Sequence, residues 1–396
     1  MDNNKRIRWI SLYYSVSAYV GMASAVLGPA LLYLVDQTNS SLAELSFIFP
    51  ARAGSYMLGS WLAGLLFDRY RGHKLLTIGL VVMGFTLGTI PGLENSLRLV
   101  MMILAMGLAM GLVDVGVNTL LFRIKTIKIG PAMNGLHFFY GLGSFLAPLI
   151  LAGSHLIQES IHWGFWGLGL FSILVLGQLF KLPEPLYDDP GDQNNEESTQ
   201  QDSSNQVALI WIIALFFFAF VGVEIGYGDW LYTYTIKSLL AAEESAIILV
   251  SVYWGSFTVG RLISIPLAAK INSKKLLLGD LIGAFLGLGL VLFFPASSMA
   301  LWCGTIILGI SLASIFPTAL TYAESVMPMT SKTTSRFFIS GSIGSMVVPW
   351  VIGRYVEVVG PLLIIWVLFV ILVFAGVMFG IISKYTKTPA EKIAGG

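Results

Sequence analysis

The side chains in this chain that could do chemistry are few, and several of them stand inside long apolar runs. Asp114, His137, Glu224, Asp229 and Arg261 are each flanked by Gly, Val, Leu, Phe or Trp. A charge held at membrane depth costs about 3 kcal/mol or more, so its usual place is a cavity wall or an ion pair. Asp114 lies nine residues before Arg123, and His137 lies nine residues after Lys128. At about 1.5 Å of rise per residue both sit about 13 Å from the same membrane boundary, on consecutive helices. Side chains at one depth could meet, or act on one cation pathway, with Asp114 neutralised by a proton or a sodium ion. The alternative is a carboxylate bonded permanently to a neighbouring His, Asn or Arg. Asn118, one turn from Asp114, carries an amide suited to a polyhydroxyl ligand or to a neighbouring helix.

A second group centres on Glu224 and the run Gly226-Tyr227-Gly228-Asp229-Trp230. Paired glycines loosen a helix, and freed backbone groups at this depth are tolerated only where protein or a cavity satisfies them. Tyr227, Trp230 and Tyr234 fall at i, i+3 and i+7 and share a face, which suits stacking on a sugar ring or, alternatively, an aromatic belt at the interface. Glu224, thirteen residues before Lys237, is expected in a cavity. Arg261 lies nine residues before Lys270, too deep to reach water easily. It is expected to find a partner carboxylate, with Asp114 or Glu224 as donors of that charge. Arg52, nearer the other boundary, is a second candidate charge partner or a side chain that snorkels.

These residues need an apolar scaffold, and the composition supplies one. The 396 residues are 56% hydrophobic and 11% charged, with a formal net charge of +1, where soluble domains carry about 25% charged residues. A mean hydropathy of +0.80 places the chain among membrane proteins. Near-neutrality excludes nucleic-acid binding by bulk charge, and one cysteine, Cys303, excludes a disulfide framework. Four histidines are too few and too scattered for an intramembrane enzyme, and there is no phosphate-binding Gly-x-x-x-x-Gly-Lys-Ser/Thr loop. No cofactor is expected beyond H⁺ or Na⁺ as a coupling ion, and no removable signal peptide opens the chain.

Apolar runs of about 20 residues predict twelve transmembrane helices. Lys5, Arg6, Arg8, Arg71, Lys74, Lys181, Lys270, Lys274, Lys275 and Lys384 gather on one side, against Arg98, Lys237 and Arg354 on the other. That bias predicts both termini in the cytoplasm. The segment from 183 to 206 is rich in Asn, Gln and Ser and holds Glu184, Asp188, Asp189, Asp192, Glu196, Glu197 and Asp202. It reads as a solvated cytoplasmic linker between an N-terminal half, 1–182, and a C-terminal half, 207–396.

The two halves repeat at an offset of 201 residues. Gly54-Ser55 and Gly59 match Gly255-Ser256 and Gly260, Lys74-Leu75-Leu76 match Lys275-Leu276-Leu277, Gly143-Ser144 and Pro148 match Gly344-Ser345 and Pro349, and Gly21 matches Gly222. Parallel repeats related by an axis along the membrane normal place a binding site between halves near the midplane. Matching glycines and prolines serve the shared fold. Polar groups present in only one half, such as Asp114, Glu224, Asp229, His137 and Arg261, are candidates for function.

The turn between the second and third spans, Gly64-Leu65-Leu66-Phe67-Asp68-Arg69-Tyr70-Arg71-Gly72-His73-Lys74, resembles the signature Gly-x-x-x-Asp-Arg-x-Gly-x-Arg/Lys-Arg/Lys of the major facilitator superfamily, with one extra residue before Gly72. Within that superfamily the blocks Asp114-Val115-Gly116-Val117-Asn118, Asn134 to Gly141 and Gly260-Arg261 resemble the fucose permease branch and its sodium-dependent glucose transporter-like relatives. The resemblance implies an all-α membrane fold of two six-helix pseudo-symmetric halves. It implies a cytoplasmic gating latch at Gly64, Asp68, Arg69, Gly72 and Lys74, a coupling carboxylate at Asp114 and a sugar-proximal amide at Asn118; beside these, Glu224 and His137 are candidates for cation coupling and Tyr140, Tyr227, Asp229 and Trp230 for sugar contact. The acid that fucose permease carries shortly before a proline in span one is missing, since Ala25 precedes Pro29 here. The expectation is therefore a monomeric plasma-membrane transporter that takes up a hexose with H⁺ or Na⁺ by alternating access. A proton-driven exporter of amphipathic molecules is the rival.

Overall fold

The structure is a computed structural model that describes residues 3–67, 69–124, 129–158, 160–184, 204–327 and 329–385. Helices account for nearly all of it: α1 (Asn3–Ala25), α2 (Leu27–Thr38), α3 (Leu42–Leu45), α4 (Ile48–Leu66), α5 (Gly72–Thr89), α6 (Ser96–Phe122), α7 (Ile129–Gln158), α8 (His162–Leu179), α9 (Ser204–Lys237), α10 (Glu243–Ala268), α11 (Ser273–Phe293), α12 (Ser298–Leu312), α13 (Ile315–Val326), α14 (Ser331–Val359) and α15 (Leu362–Tyr385). No strand occurs among the described residues. Among the described residues ten helical segments are long and apolar enough to cross a membrane, α12 and α13 together forming one of them. The α1–α2 pair, bent by 47°, makes an eleventh. By position α4 is the second crossing, but Arg52 and its glycines leave it below that level of hydropathy. The chain is an integral membrane protein.

Proline explains where two of the spans break. The ring of Pro29 cannot coexist with the helical carbonyl of residue 25, four positions back, and α1 ends at Ala25. Pro317 acts the same way on residue 313, and α12 ends one position earlier at Leu312. The first break turns α2 onto α9, where a Cβ on Gly28 would lie 2.8 Å from the Gly228 carbonyl oxygen. Only a residue without a side chain permits this crossing.

The repeat is visible in the contacts. Gly21 of α1 lies against the backbone of Tyr140 and Ser144 in α7, and its counterpart Gly222 of α9 lies against Gly344 and Val348 in α14. The contacts joining the halves follow the same rule. Gly54 of α4 faces Met346 of α14, and Gly255 of α10 faces Phe145 of α7. Both partners of each contact are related by 201 residues, so α4–α14 and α10–α7 are equivalent interfaces.

Candidate functional site

A cavity of about 750 Å³ opens between α7, α10, α11, α13 and α14. Its mouth lies where α7 begins and α10 passes into α11, as Asn134, Asn272 and Ser273 in its lining show. That volume suits a small solute. The walls are divided in character. Phe316 and Phe338, edge to face at 5.1 Å, form an aromatic side. Asn134, His137, Thr258 and Arg261 form a polar one. Among the described residues no Asp or Glu lines the cavity.

Arg261 sits on the cavity wall with its guanidinium 4.7 Å from the centroid of Phe257. The expected partner carboxylate is not there. Among the described residues no acid lies within 4 Å of Arg261, and Glu224 acts on it electrostatically from beyond contact distance. Glu224 is half-buried on α9 and does not line the cavity, and its backbone carbonyl accepts from the Tyr253 hydroxyl at 2.8 Å. His137 is exposed on the cavity wall.

Asp114 and His137 do not meet. The carboxylate of Asp114 accepts a hydrogen bond of 2.5 Å from Tyr56 of α4. This contact depends on the close crossing of α4 and α6, since a Cβ on Gly111 would fall 2.1 Å from the Tyr56 carbonyl oxygen. The Asn118 amide donates to the Asp114 backbone carbonyl at 2.8 Å, so one of its two N–H donors is spent within its own helix. Tyr140, three residues beyond His137 on α7, feels the charges of Asp114, Arg261 and Arg52 together. It does not line the cavity.

The aromatic run of α9 serves packing in this state. Trp230 is fully buried, with its indole N–H donating to the Pro349 carbonyl at 3.0 Å and its ring against Phe49. Tyr227 shares a 2.7 Å hydrogen bond with Thr305. Neither lines the cavity, contrary to the expected sugar-stacking face, because both rings fill the joints of α9 with α12 and α14. Asp229 is likewise removed from the cavity. It holds Arg52 in a bidentate pair of 2.7 and 3.2 Å, with both side chains buried, and Arg52 also donates to the Ser24 carbonyl at 2.9 Å. Of the two expectations for Arg52, the charge partner and not the snorkelling side chain is what the structure shows, as this bridge from α4 to α9 on the side of the bundle away from the cavity mouth.

That far side is closed by further contacts across the halves. Tyr33 of α2 donates to Glu243 of α10 at 2.7 Å and shares a 2.9 Å hydrogen bond with His155 of α7. The Leu42 N–H donates to Glu357 of α14 at 2.9 Å.

On the cavity-mouth side, Glu184 was expected to be part of the solvated linker. It instead accepts from the Gly72 N–H at the start of α5 at 2.6 Å and lies 3.8 Å from Arg123. A carboxylate is at home on a helix N-terminus, and Trp9 anchors the preceding residue by donating to the Pro183 carbonyl at 2.7 Å. Arg69 and Lys74 are exposed, Gly64 faces open space, and Asp68 lies outside the described residues. Composition alone could not single out Glu184 among the linker acids. Its position directly after α8 and Pro183 was the available signal.

The model of the Major Facilitator Superfamily matches residues 14–349. The chain belongs to that superfamily. Similar chains include "Sodium-dependent glucose transporter 1" of Xenopus laevis, 29% identical over an alignment 356 residues long that covers 84% of this chain and 72% of that one. The protein of the same name from Homo sapiens is 26% identical over 409 residues, covering 94% of this chain and 78% of the other. Among solved structures, that of a D-xylose-proton symporter superposes with a TM-score of 0.76 at 14% identity over 94% of this chain and 97% of that one. This major facilitator protein thus has the two pseudo-symmetric halves of its fold and is a secondary transporter, not an enzyme.

Proposed function

We propose that the protein takes up a hexose-type sugar coupled to H⁺ or Na⁺, its halves 1–182 and 207–396 rocking about the cavity. The relatives named as sodium-dependent glucose transporters support the substrate and the coupling. The observation that carries the reading is a division of labour. The cavity offers polar donors beside aromatic rings, while the carboxylate of Asp114 stands outside the cavity lining with Tyr56 as its hydrogen-bond partner. The first arrangement suits a sugar, which has apolar ring faces and hydroxyl edges. The second suits a cation that neutralises Asp114. With the termini cytoplasmic in a plasma membrane, the cavity opens inward and Arg52–Asp229 closes the outer side. Glu184, Gly72, Arg69, Lys74 and Asp68 then belong to the inner gate.

The test is counterflow of labelled hexoses in proteoliposomes with Na⁺ and pH gradients set separately, comparing the native chain with Asp114→Asn. Accumulation should follow one of the two gradients in the native chain and should lose that dependence in the variant, while exchange at equal concentrations persists. Accumulation indifferent to both gradients and to the substitution would refute the coupling. The aromatic wall of Phe316 and Phe338 also favours export of amphipathic molecules, but Arg261 and the lack of a lining carboxylate disfavour cationic ones. Transport of lipophilic cations in the same vesicles, with no hexose exchange, would decide for that rival.

A further inference from the structure

We infer that the cavity is built for a sugar acid, a polyhydroxyl ring bearing a carboxylate, in preference to a neutral hexose. The inference rests on the reading of the cavity as a sugar site and names the class of sugar.

Arg261 carries a full charge in the middle of an apolar helix, and the protein supplies it with an aromatic face and no anion. Phe257 covers one flat side of the guanidinium at 4.7 Å. The side chain makes no hydrogen bond to the protein among the described residues, so the donor edge that lines the cavity is unspent. Its neighbour across the cavity, His137, likewise has no hydrogen-bond partner among the described residues. The nearby acids do not answer this demand. Asp114 is engaged by Tyr56, Asp229 by Arg52, and Glu224 stays beyond ion-pair distance. A charge kept at this depth is expected to meet an opposite charge, and within the described protein none arrives.

The missing group must be an anion matched to a planar fork of N–H donors, which a carboxylate is. A neutral hexose brings hydroxyl acceptors but no charge, and forfeits the stronger of the two kinds of hydrogen bond. The remaining walls explain why the anion would sit on a sugar. Phe316 and Phe338 offer an aromatic surface to a ring face, and Asn134 and Thr318 border it with groups for hydroxyls.

The experiment measures inhibition of labelled glucose counterflow in proteoliposomes by unlabelled glucose, glucuronate and the methyl ester of glucuronate. In the native chain glucuronate should inhibit at a concentration about 10–100-fold lower than glucose, the gain of a charge-assisted hydrogen bond. The ester, of the same shape without the charge, should inhibit no better than glucose. Arg261→Gln should bring the ratio of glucuronate to glucose affinity to about one, and Arg261→Lys should retain part of it. Thermal unfolding in detergent checks that both variants are folded. Should neither be, the ester comparison decides alone. Glucose counterflow that glucuronate does not inhibit better than glucose overturns the inference and leaves the hexose reading standing. A preference that survives Arg261→Gln in folded protein, or is shared by the ester, overturns the role of Arg261. If no sugar is exchanged, both readings fall.

Discussion

The two ends of the bundle use the same interfaces and reach opposite outcomes. At the end away from the cavity mouth, α4, α9 and α14 are drawn together by the buried Arg52–Asp229 pair, by Trp230 bonded to the Pro349 carbonyl, and by Gly28 set against the α9 backbone. At the other end the cavity opens between α7, α10, α11, α13 and α14, and its charged residue Arg261 finds no acid within 4 Å among the described residues. The repeat axis runs along the membrane normal and relates α4–α14 to α10–α7 within each end, not one end to the other, so the difference between the ends has its own source. It comes from charges that the repeat does not duplicate. Asp229 corresponds to Gly28, and Arg261 to Ser60. Closure is a matter of which unduplicated charges meet.

The contrast can be broken most severely at Asp229. Asp229→Ala leaves the Arg52 guanidinium buried without its partner and is expected to destabilise the protein by about 3–5 kcal/mol. Thermal unfolding in detergent reads this, and labelling of a cysteine placed near Ser46 should rise as the sealed end opens. Next comes Gly28→Val. The Gly228 carbonyl lies 2.8 Å from the position a Cβ would take, so the backbone must shift, at about 1–3 kcal/mol, and the same labelling should increase. Trp230→Phe keeps most of the ring and loses the bond to Pro349, for about 1 kcal/mol in the same unfolding assay. Phe338→Ala sharpens the comparison from the open end. That ring is 49% exposed, and its loss should move the unfolding temperature less than any of the three while changing sugar affinity.

The smallest effect is expected at α3. Ser41 caps it, its hydroxyl accepting from the Glu44 N–H at 3.1 Å while its own N–H donates to the Glu44 carboxylate at 3.0 Å. The Ser41 N–H, and then its hydroxyl, hold the Glu44 carboxyl below its usual range. A depressed pKa means the cap's contribution is present above the ordinary carboxylate pKa and is lost as pH falls through the lowered one. Acidification below that range should therefore increase hydrogen exchange at the amides of α3 before those of α4.

Most of the architecture could be read from the chain, and the reason is spacing. Spans follow from run length, and the equivalence of halves follows from a constant offset. Depth also follows, because a helix rises by a fixed amount per residue. Azimuth does not. Asp114 and His137 stand equally far along consecutive helices from their flanking basic residues, which suggests a meeting, yet helices that are apolar on every side do not reveal which way a polar residue turns. Asp114 turns to α4 and His137 to the cavity. Arg52 and Asp229 show the same limit across a separation of 177 residues. Nothing in the neighbourhood of either residue marks the other. Tyr227 and Trp230 do share a helical face, but that face is filled by Thr305 and Pro349, supplied by helices distant in the chain.

The matched contacts of Gly54 with Met346 and of Phe145 with Gly255 have one more consequence. Each half presents a glycine surface on one helix and a large side chain on another, and receives the complementary pair in return. Such a surface is self-complementary in the manner of a homodimer about a two-fold axis. The chain is thus related to a pair of identical six-helix subunits, each furnishing both sides of one joint. In a single chain the two copies of a position need not be alike, and Asp229 opposite Gly28 and Arg261 opposite Ser60 are positions where they differ.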